Sequence, residues 1–193
     1  MGDIPEFKPV EIQPVTEGGD KSDALVNRIE IKSIAEEGEN PLSGVTDAML
    51  EKGIMPALSP EDLGETVGKA AEALAGNKIS LPGDRGLSSA SAISTILKAS
   101  GAEGIEQTMN IADMREQALA AGWTEKPYKV GDPIEEGAIY LTSMDPNRRN
   151  AGIGGSNDVI YSHSMRQQAL VGHPAENWSS NFQTVLSPPE KRE

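Results

Sequence analysis

The sequence has no cysteine, only two histidines and few aromatic residues. The absence of cysteine excludes disulfide bonds and thiolate ligands, and with His163 and His173 as the only imidazoles we predict no metal site and no cofactor. Aromatic residues make up 4% and hydrophobic residues 37% of the chain, which also contains 20 glycines and 13 prolines. This composition predicts one compact core of modest size and a considerable length of chain outside it.

Positive charge is also scarce: the chain has 17 lysines and arginines and 30 acidic residues, and its formal net charge is −13. The longest basic cluster is the pair Arg148 and Arg149, so we predict no nucleic-acid partner. No apolar run approaches the about 18 residues of a membrane-spanning helix, and the N-terminal stretch MGDIPEFKPVEIQPV lacks the basic and then apolar order of a secretory signal. We therefore expect a protein that is made in the cytoplasm and inserts into no membrane, with association with a virion or release from the cell as its open destinations.

Turn-forming residues divide the chain into three predicted parts. Residues 1–22 alternate apolar residues with proline, glutamate and lysine and end in a glycine-containing break, which predicts an extended arm. Residues 23–79 form a predicted helical N-terminal region, whose apolar residues before position 41 fit either a short strand or an irregular helix. Helices are predicted over 41–53 and 59–76, the second with Ser59 as cap and Pro60 as its first residue.

Residues 80–193 form the third predicted part, which begins with helices and continues with strands. Helices are predicted over 90–101 and 105–122, where apolar residues recur at helical spacing up to a glycine. The later sequence has short runs between Gly, Pro, Asn and Asp, which is typical of strands in a small antiparallel sheet. These runs are GAIYLTS, NAGIGG, DVIYSHS and FQTVLSP. Helices followed by strands predict the α+β class.

Several stretches of this third part follow one another in a recognisable order: LSSASAISTILKASG, AAGWTEKPYKVGDPIEEGAIYLTS, NAGIGGSNDVIYSHS and NWSSNFQTVLSP. Together they resemble the core of NlpC/P60 and CHAP-type cell-wall hydrolases. The resemblance covers about residues 80–188 and implies a papain-like fold, with helices packed on a small antiparallel sheet. The first 80 residues carry no such resemblance.

The resemblance places three positions of this chain in a catalytic triad. Ser89 stands where the family has a nucleophilic cysteine, Asn150 where it has the basic histidine, and Ser162–His163 where it has the third residue. A thiol at a helix N-terminus loses its proton readily, and an imidazole then serves as base and acid. A serine hydroxyl is a much weaker acid, and a carboxamide takes up no proton. The resemblance therefore implies a degenerate triad, Ser89, Asn150 and His163, with little or no activity.

Each of these residues also has a simpler interpretation. Ser88 and Ser89 are typical caps for the helix that follows them, and Asn150 is a common turn residue before a glycine-rich strand. A histidine such as His163 is, in most strands, a surface or half-buried residue without a chemical role.

Other residues with chemical potential are given no role by the sequence. Trp123 and Trp178 are more typical of packing than of sugar stacking. Asp145 and Asp158 are discounted as a glycosidase pair because both lie in turn-like sequence. His173 precedes a proline in a predicted loop.

Three functions remain open at this stage. The preferred one is a structural or binding component of a phage tail, a virion or another envelope-penetrating assembly, in which the arm of residues 1–22 binds a protein partner by strand addition. The second is a peptidoglycan amidase or endopeptidase, either active or inactivated by a Cys-to-Ser change at position 89. The third is an effector or inhibitor whose acidic surface binds a basic partner. The first is preferred because a change at position 89 alone leaves Asn150 unexplained.

Overall fold

A computed structural model of the chain describes residues 32–34, 36, 39–84, 88–142, 150–178 and 182–189. Several residues of the sequence predictions lie outside these ranges. They are the arm of residues 1–22, Asp145, Arg148, Arg149 and the side chain of Trp178.

The described residues form helices in the first half and mostly strands in the second. The helices are α1 Leu42–Glu51, α2 Pro60–Ala73, α3 Ser89–Ala99, α4 Ile111–Ala120 and α5 Ala175–Trp178. The strands are β1 Lys32–Ser33, β2 Asn77–Lys78, β3 Thr124–Pro127, β4 Ile139–Leu141, β5 Ala151–Gly154, β6 Val159–Ser164, β7 Ala169–Pro174 and β8 Thr184–Ser187.

Six strands form one antiparallel sheet in the order β3-β8-β4-β5-β6-β7, and β1 and β2 form a separate parallel pair. In β4, Ile139 pairs with Ile153 of β5 and with Leu186 of β8. Strand β5 then pairs with β6, where Gly152 lies opposite Ser162. Helices together with this antiparallel sheet confirm the predicted α+β class.

Successive residues of a strand point to opposite faces, so the sheet carries a different core on each face. On one face, Leu141, Ala151 and Ile153 belong to a large apolar cluster with residues of α1, α2, α3 and α4. On the other face, the Tyr140 ring packs edge-on against Tyr128, with centroids 5.3 Å apart. The large cluster thus joins apolar residues of the predicted regions 23–79 and 80–193 in one core.

The starts of α2 and α4 correct the sequence prediction at two points. Helix α2 begins at Pro60 after Ser59, as predicted, although the Ser59 hydroxyl donates to the Asp62 carboxylate at 2.8 Å and makes no side-chain cap bond to the backbone. Helix α4 begins at Ile111, several residues later than predicted. The reason is Asn110, whose side-chain oxygen accepts from the Ala112 N–H at 2.9 Å and so caps the helix there.

Two strands of the sheet were absent from the sequence prediction. Strand β3 pairs with β8 along the edge of the sheet, and β7 pairs with β6 along the opposite edge. His173 lies in β7 opposite Ile160, so its assignment to a loop was wrong. A tight turn at Gln168, which has a φ of 51°, returns the chain from β6 to β7. None of the described helices has the length and apolar character needed to cross a membrane.

Candidate functional site

The N-terminus of helix α3 is built by two adjacent serines. Ser88 is the N-cap, because its hydroxyl oxygen accepts from the Ser91 N–H at 3.4 Å and its hydroxyl donates to the Met109 carbonyl at 2.8 Å. Ser89 is the first helical residue and is 6% exposed. Since α3 packs against β5 and β6, the Ser89 hydroxyl lies where the positive end of the helix meets the sheet.

Ser89 and Asn150 meet at one backbone N–H group. The Ala151 N–H donates to the Ser89 hydroxyl oxygen over 3.0 Å and to the Asn150 side-chain oxygen over 2.9 Å. Ala151 begins β5 and lies one residue before Gly152, where the register of β5 with β6 starts. The two side-chain oxygens therefore satisfy a backbone donor that the β5–β6 pairing leaves out.

Asn150 is held by neighbouring strand ends. Its N–H donates to the Thr142 hydroxyl oxygen at 2.7 Å, and its carbonyl accepts from the Thr142 N–H at 3.0 Å. The fully buried Ser162 donates its hydroxyl to the Asn150 side-chain oxygen at 3.4 Å. A backbone N–H group can only donate, so its contact with that side-chain atom assigns the atom as the carboxamide oxygen.

His163 makes no hydrogen bond to this group. It follows Ser162 in β6 and so points to the other face of the sheet, which is the face that Tyr161 shares with the helices. Its side chain is buried, at 4% exposure, and neither ring nitrogen has a hydrogen-bond partner in the described part of the chain. Burial lowers the pKa of His163, the nearby Asp84 carboxylate raises it, and Lys78 lowers it further.

The structure thus brings together two of the three predicted triad positions, with Ser162 as a third member. Within the described residues, no carboxylate and no imidazole is hydrogen-bonded to the Ser89 hydroxyl. The carboxamide of Asn150 takes up no proton, and it binds the same N–H group as Ser89. Chemically, the arrangement fixes the start of α3 to β5, and the one hydrogen bond of the Ser89 hydroxyl in the described residues is with a backbone N–H group. The catalytic roles of Ser89, Asn150 and His163 stay predictions.

A scan of the sequence against protein-family models gives no match, and a search among curated proteins gives no matching relative.

Trp123 and Asp158, which the sequence analysis gave no chemical role, make packing and backbone contacts in the structure. Trp123 is 4% exposed and packs in the large core, and Asp158 uses its carboxylate to accept from the Ile134 N–H at 3.3 Å. The described residues contain no cluster of three or more His, Asp or Glu side chains arranged to hold a metal ion.

Two residues near the site were not singled out in the sequence. Thr142 holds Asn150 through its hydroxyl and its backbone N–H. Asp84 accepts from the N–H of the cap residue Ser88 at 2.9 Å. An aspartate four residues before a capping serine is a local signal that sequence reasoning can use, whereas the approach of Thr142 to Asn150 depends on the pairing of β4 with β5.

Proposed function

We propose that this chain is a catalytically silent domain of the papain-like NlpC/P60 type that serves as a structural or binding component of an envelope-penetrating assembly, such as a phage tail or virion. The observation that supports this proposal most directly is the shared Ala151 N–H, which engages the Ser89 hydroxyl oxygen and the Asn150 carboxamide oxygen together. Both side chains are used to join helix α3 to strand β5.

Three features of the arrangement around these residues support the proposal. A buried side chain begins a helix that packs on the sheet, a second polar residue precedes β5, and Ser162 of the neighbouring strand orients that second residue. Such a unit loses most of its activity when either its nucleophile or its base is replaced. Here a hydroxyl stands at the nucleophile position and a carboxamide at the base position, which favours a retained fold without retained hydrolysis. His163, the remaining imidazole of the predicted triad, is not hydrogen-bonded to Ser89.

Peptidoglycan hydrolysis is the activity that tests this proposal. We expect the wild-type protein and a Ser89→Ala variant to release equal, background amounts of soluble muropeptide from purified sacculi, measured by chromatography after prolonged incubation. Ser94→Ala is a matched control, because Ser94 is a buried serine of the same helix whose hydroxyl oxygen accepts from the Thr108 N–H at 3.0 Å. Release by the wild type and by Ser94→Ala, together with its loss in Ser89→Ala, would establish an active serine nucleophile and overturn the proposal.

The arm of residues 1–22 is the proposed contact with a protein partner, because its alternating apolar residues suit strand addition and its prolines discourage uncontrolled pairing. We expect deletion of residues 1–22 to remove the protein from the large assemblies of its source cells, as followed by gradient sedimentation. Its thermal unfolding midpoint, measured by circular dichroism, should stay unchanged. A variant with a scrambled arm of the same composition controls for length and charge. Undiminished incorporation of both variants would contradict a role of the arm in assembly.

A further inference from the structure

Asp84 and His163 are two buried polar side chains that the candidate site does not use. They are 6% and 4% exposed. One carboxylate oxygen of Asp84 accepts from the Ser88 N–H at 2.9 Å. The other oxygen, and both ring nitrogens of His163, have no hydrogen-bond partner among the described residues. Since nearly all buried polar atoms in proteins are hydrogen-bonded, three such atoms in two side chains call for a physical explanation.

Asp84 and His163 lie on elements that pack together, and the Asp84 charge acts on the His163 ring. His163 lies on the face of β6 that Tyr161 shares with the helices, and Asp84 lies in the segment that leads into α3, the helix that packs on β6. The Asp84 carboxylate acts on the imidazole and raises its pKa, against the larger lowering effect of burial. Lys78 of β2 also lowers the pKa, so Asp84 is the one group that favours a charged His163 among those that act on it in the described chain.

Other charged groups on the elements around β6 lie elsewhere. The only charged residue of α3 is Lys98, in its last turn, where it bonds Glu106. Strand β5 has no charged residue, and the titratable residue of β7, His173, lies opposite Ile160. Helix α5 contributes Glu176, which is exposed and follows the end of β7 that pairs with the start of β6. Besides burial, which lowers the pKa of His163 most, the charges that act on its protonation are therefore those of Asp84 and Lys78.

We propose that Asp84 and His163 form a buried, proton-linked latch that joins the start of helix α3 to strand β6. When the imidazole takes up a proton from solvent, both ring nitrogens become donors, and one of them binds the unpartnered carboxylate oxygen of Asp84. The other Asp84 oxygen stays bound to the Ser88 N–H, so the new ion pair acts on the cap of α3 and on the adjacent Ser89. The latch makes the position of this helix start depend on pH, and it does not depend on the proposed function.

The latch is tested by following histidine ring and backbone amide signals by NMR during a pH titration of the full chain. The chain has two histidines, so a His173→Gln variant assigns the His163 ring. We expect His163 to titrate below its ordinary value of 6.5, with the amide signals of Ser88 and Ser89 shifting at the same midpoint. In Asp84→Asn the His163 midpoint should move to still lower pH, because the favourable charge is gone.

Asp158→Asn is the matched control, since its carboxylate also accepts from a backbone N–H but lies in an exposed turn. It should leave the His163 midpoint unchanged. If Asp84→Asn does not fold, His163→Gln serves in its place, and it should abolish the pH-dependent shifts of Ser88 and Ser89. The latch is overturned if those two amides do not follow His163 in the wild type, or if Asp84→Asn leaves the midpoint unchanged. Unfolding of the wild type before His163 titrates overturns it as well.

Discussion

Replacing Ser89 with cysteine and Asn150 with histidine in the same chain is expected to produce peptidoglycan hydrolysis that neither single replacement produces. The two side chains bind the same Ala151 N–H, over 3.0 and 2.9 Å, so the new thiol and imidazole start from adjacent positions. Ser162, which donates to the Asn150 oxygen, is placed to orient the new ring. A general base contributes about 10²- to 10⁴-fold to such reactions, and the gain requires nucleophile and base together.

Thiol reactivity gives a second readout that needs no knowledge of the substrate. The sequence has no cysteine, so each variant carries a single thiol. We expect the pH profile of alkylation at position 89 to have a lower midpoint when histidine stands at position 150. The reason is that a neighbouring imidazolium and the α3 N-terminus both stabilise a thiolate. The measurement is the pH profile of the reaction with iodoacetamide, compared between Ser89→Cys alone and the double variant.

A cysteine at Ser156 is the control for this comparison. Ser156 lies in the turn between β5 and β6 and bonds Glu72, far along the strands from Asn150. Its alkylation profile should be the same with asparagine or histidine at position 150. If the profile at position 89 is equally insensitive, the imidazole does not reach the thiol, and the proposed kinship with thiol hydrolases loses its structural basis. A shifted profile without hydrolysis would show that the imidazole lies close to the thiol but that the pair does not cleave peptidoglycan.

The elements that sequence reasoning located carry strong local signals. Helix α2 has Ser59 and Pro60 at its start, and α3 follows a capping serine and buries all but one of its residues. Strands β4, β5, β6 and β8 occur within apolar runs bounded by turn residues. Strand β3, TEKP, has no such run, and its residues are exposed or half-buried. It forms because its backbone pairs with the edge of β8. Long-range pairing of this kind leaves no periodic pattern in the sequence.

The candidate site, like the fold, could be predicted only in part from the sequence. The position of Ser89 at a helix start follows from local capping chemistry, and the nearness of Asn150 was an expectation drawn from the resemblance. Adjacent residues of a strand face opposite ways, however, and the sequence alone did not decide whether Ser162 or His163 points towards Asn150. That choice depends on the register of β5 with β6, in which Gly152 pairs with Ser162. The influence of the Asp84 charge on His163 likewise could not be read from the sequence, because it depends on the packing of α3 on β6.

Gly137→Ala is expected to cause a large loss of stability, because it combines a backbone clash with a left-handed backbone conformation. Gly137 has a φ of +75°, and a Cβ atom there would lie 2.1 Å from the carbonyl oxygen of Gly64 in helix α2. The Gly137 N–H also donates to the Gly154 carbonyl at 2.7 Å, so the segment cannot withdraw without breaking the link to β5. We expect a loss of more than about 4 kcal/mol in the free energy of unfolding, measured by urea denaturation.

Gly53→Ala separates the backbone strain from the clash. Gly53 has a nearly equal φ of +72°, but a Cβ atom there meets nothing within 4 Å. It should cost only the roughly 1–2 kcal/mol of a left-handed conformation in a residue with a Cβ atom. Equal losses in the two variants would mean that α2 yields easily to the new methyl group. The predicted difference instead requires α2 to be held firmly against the segment before β4, the strand whose Leu141 pairs with Ala151 and so positions the backbone donor shared by Ser89 and Asn150.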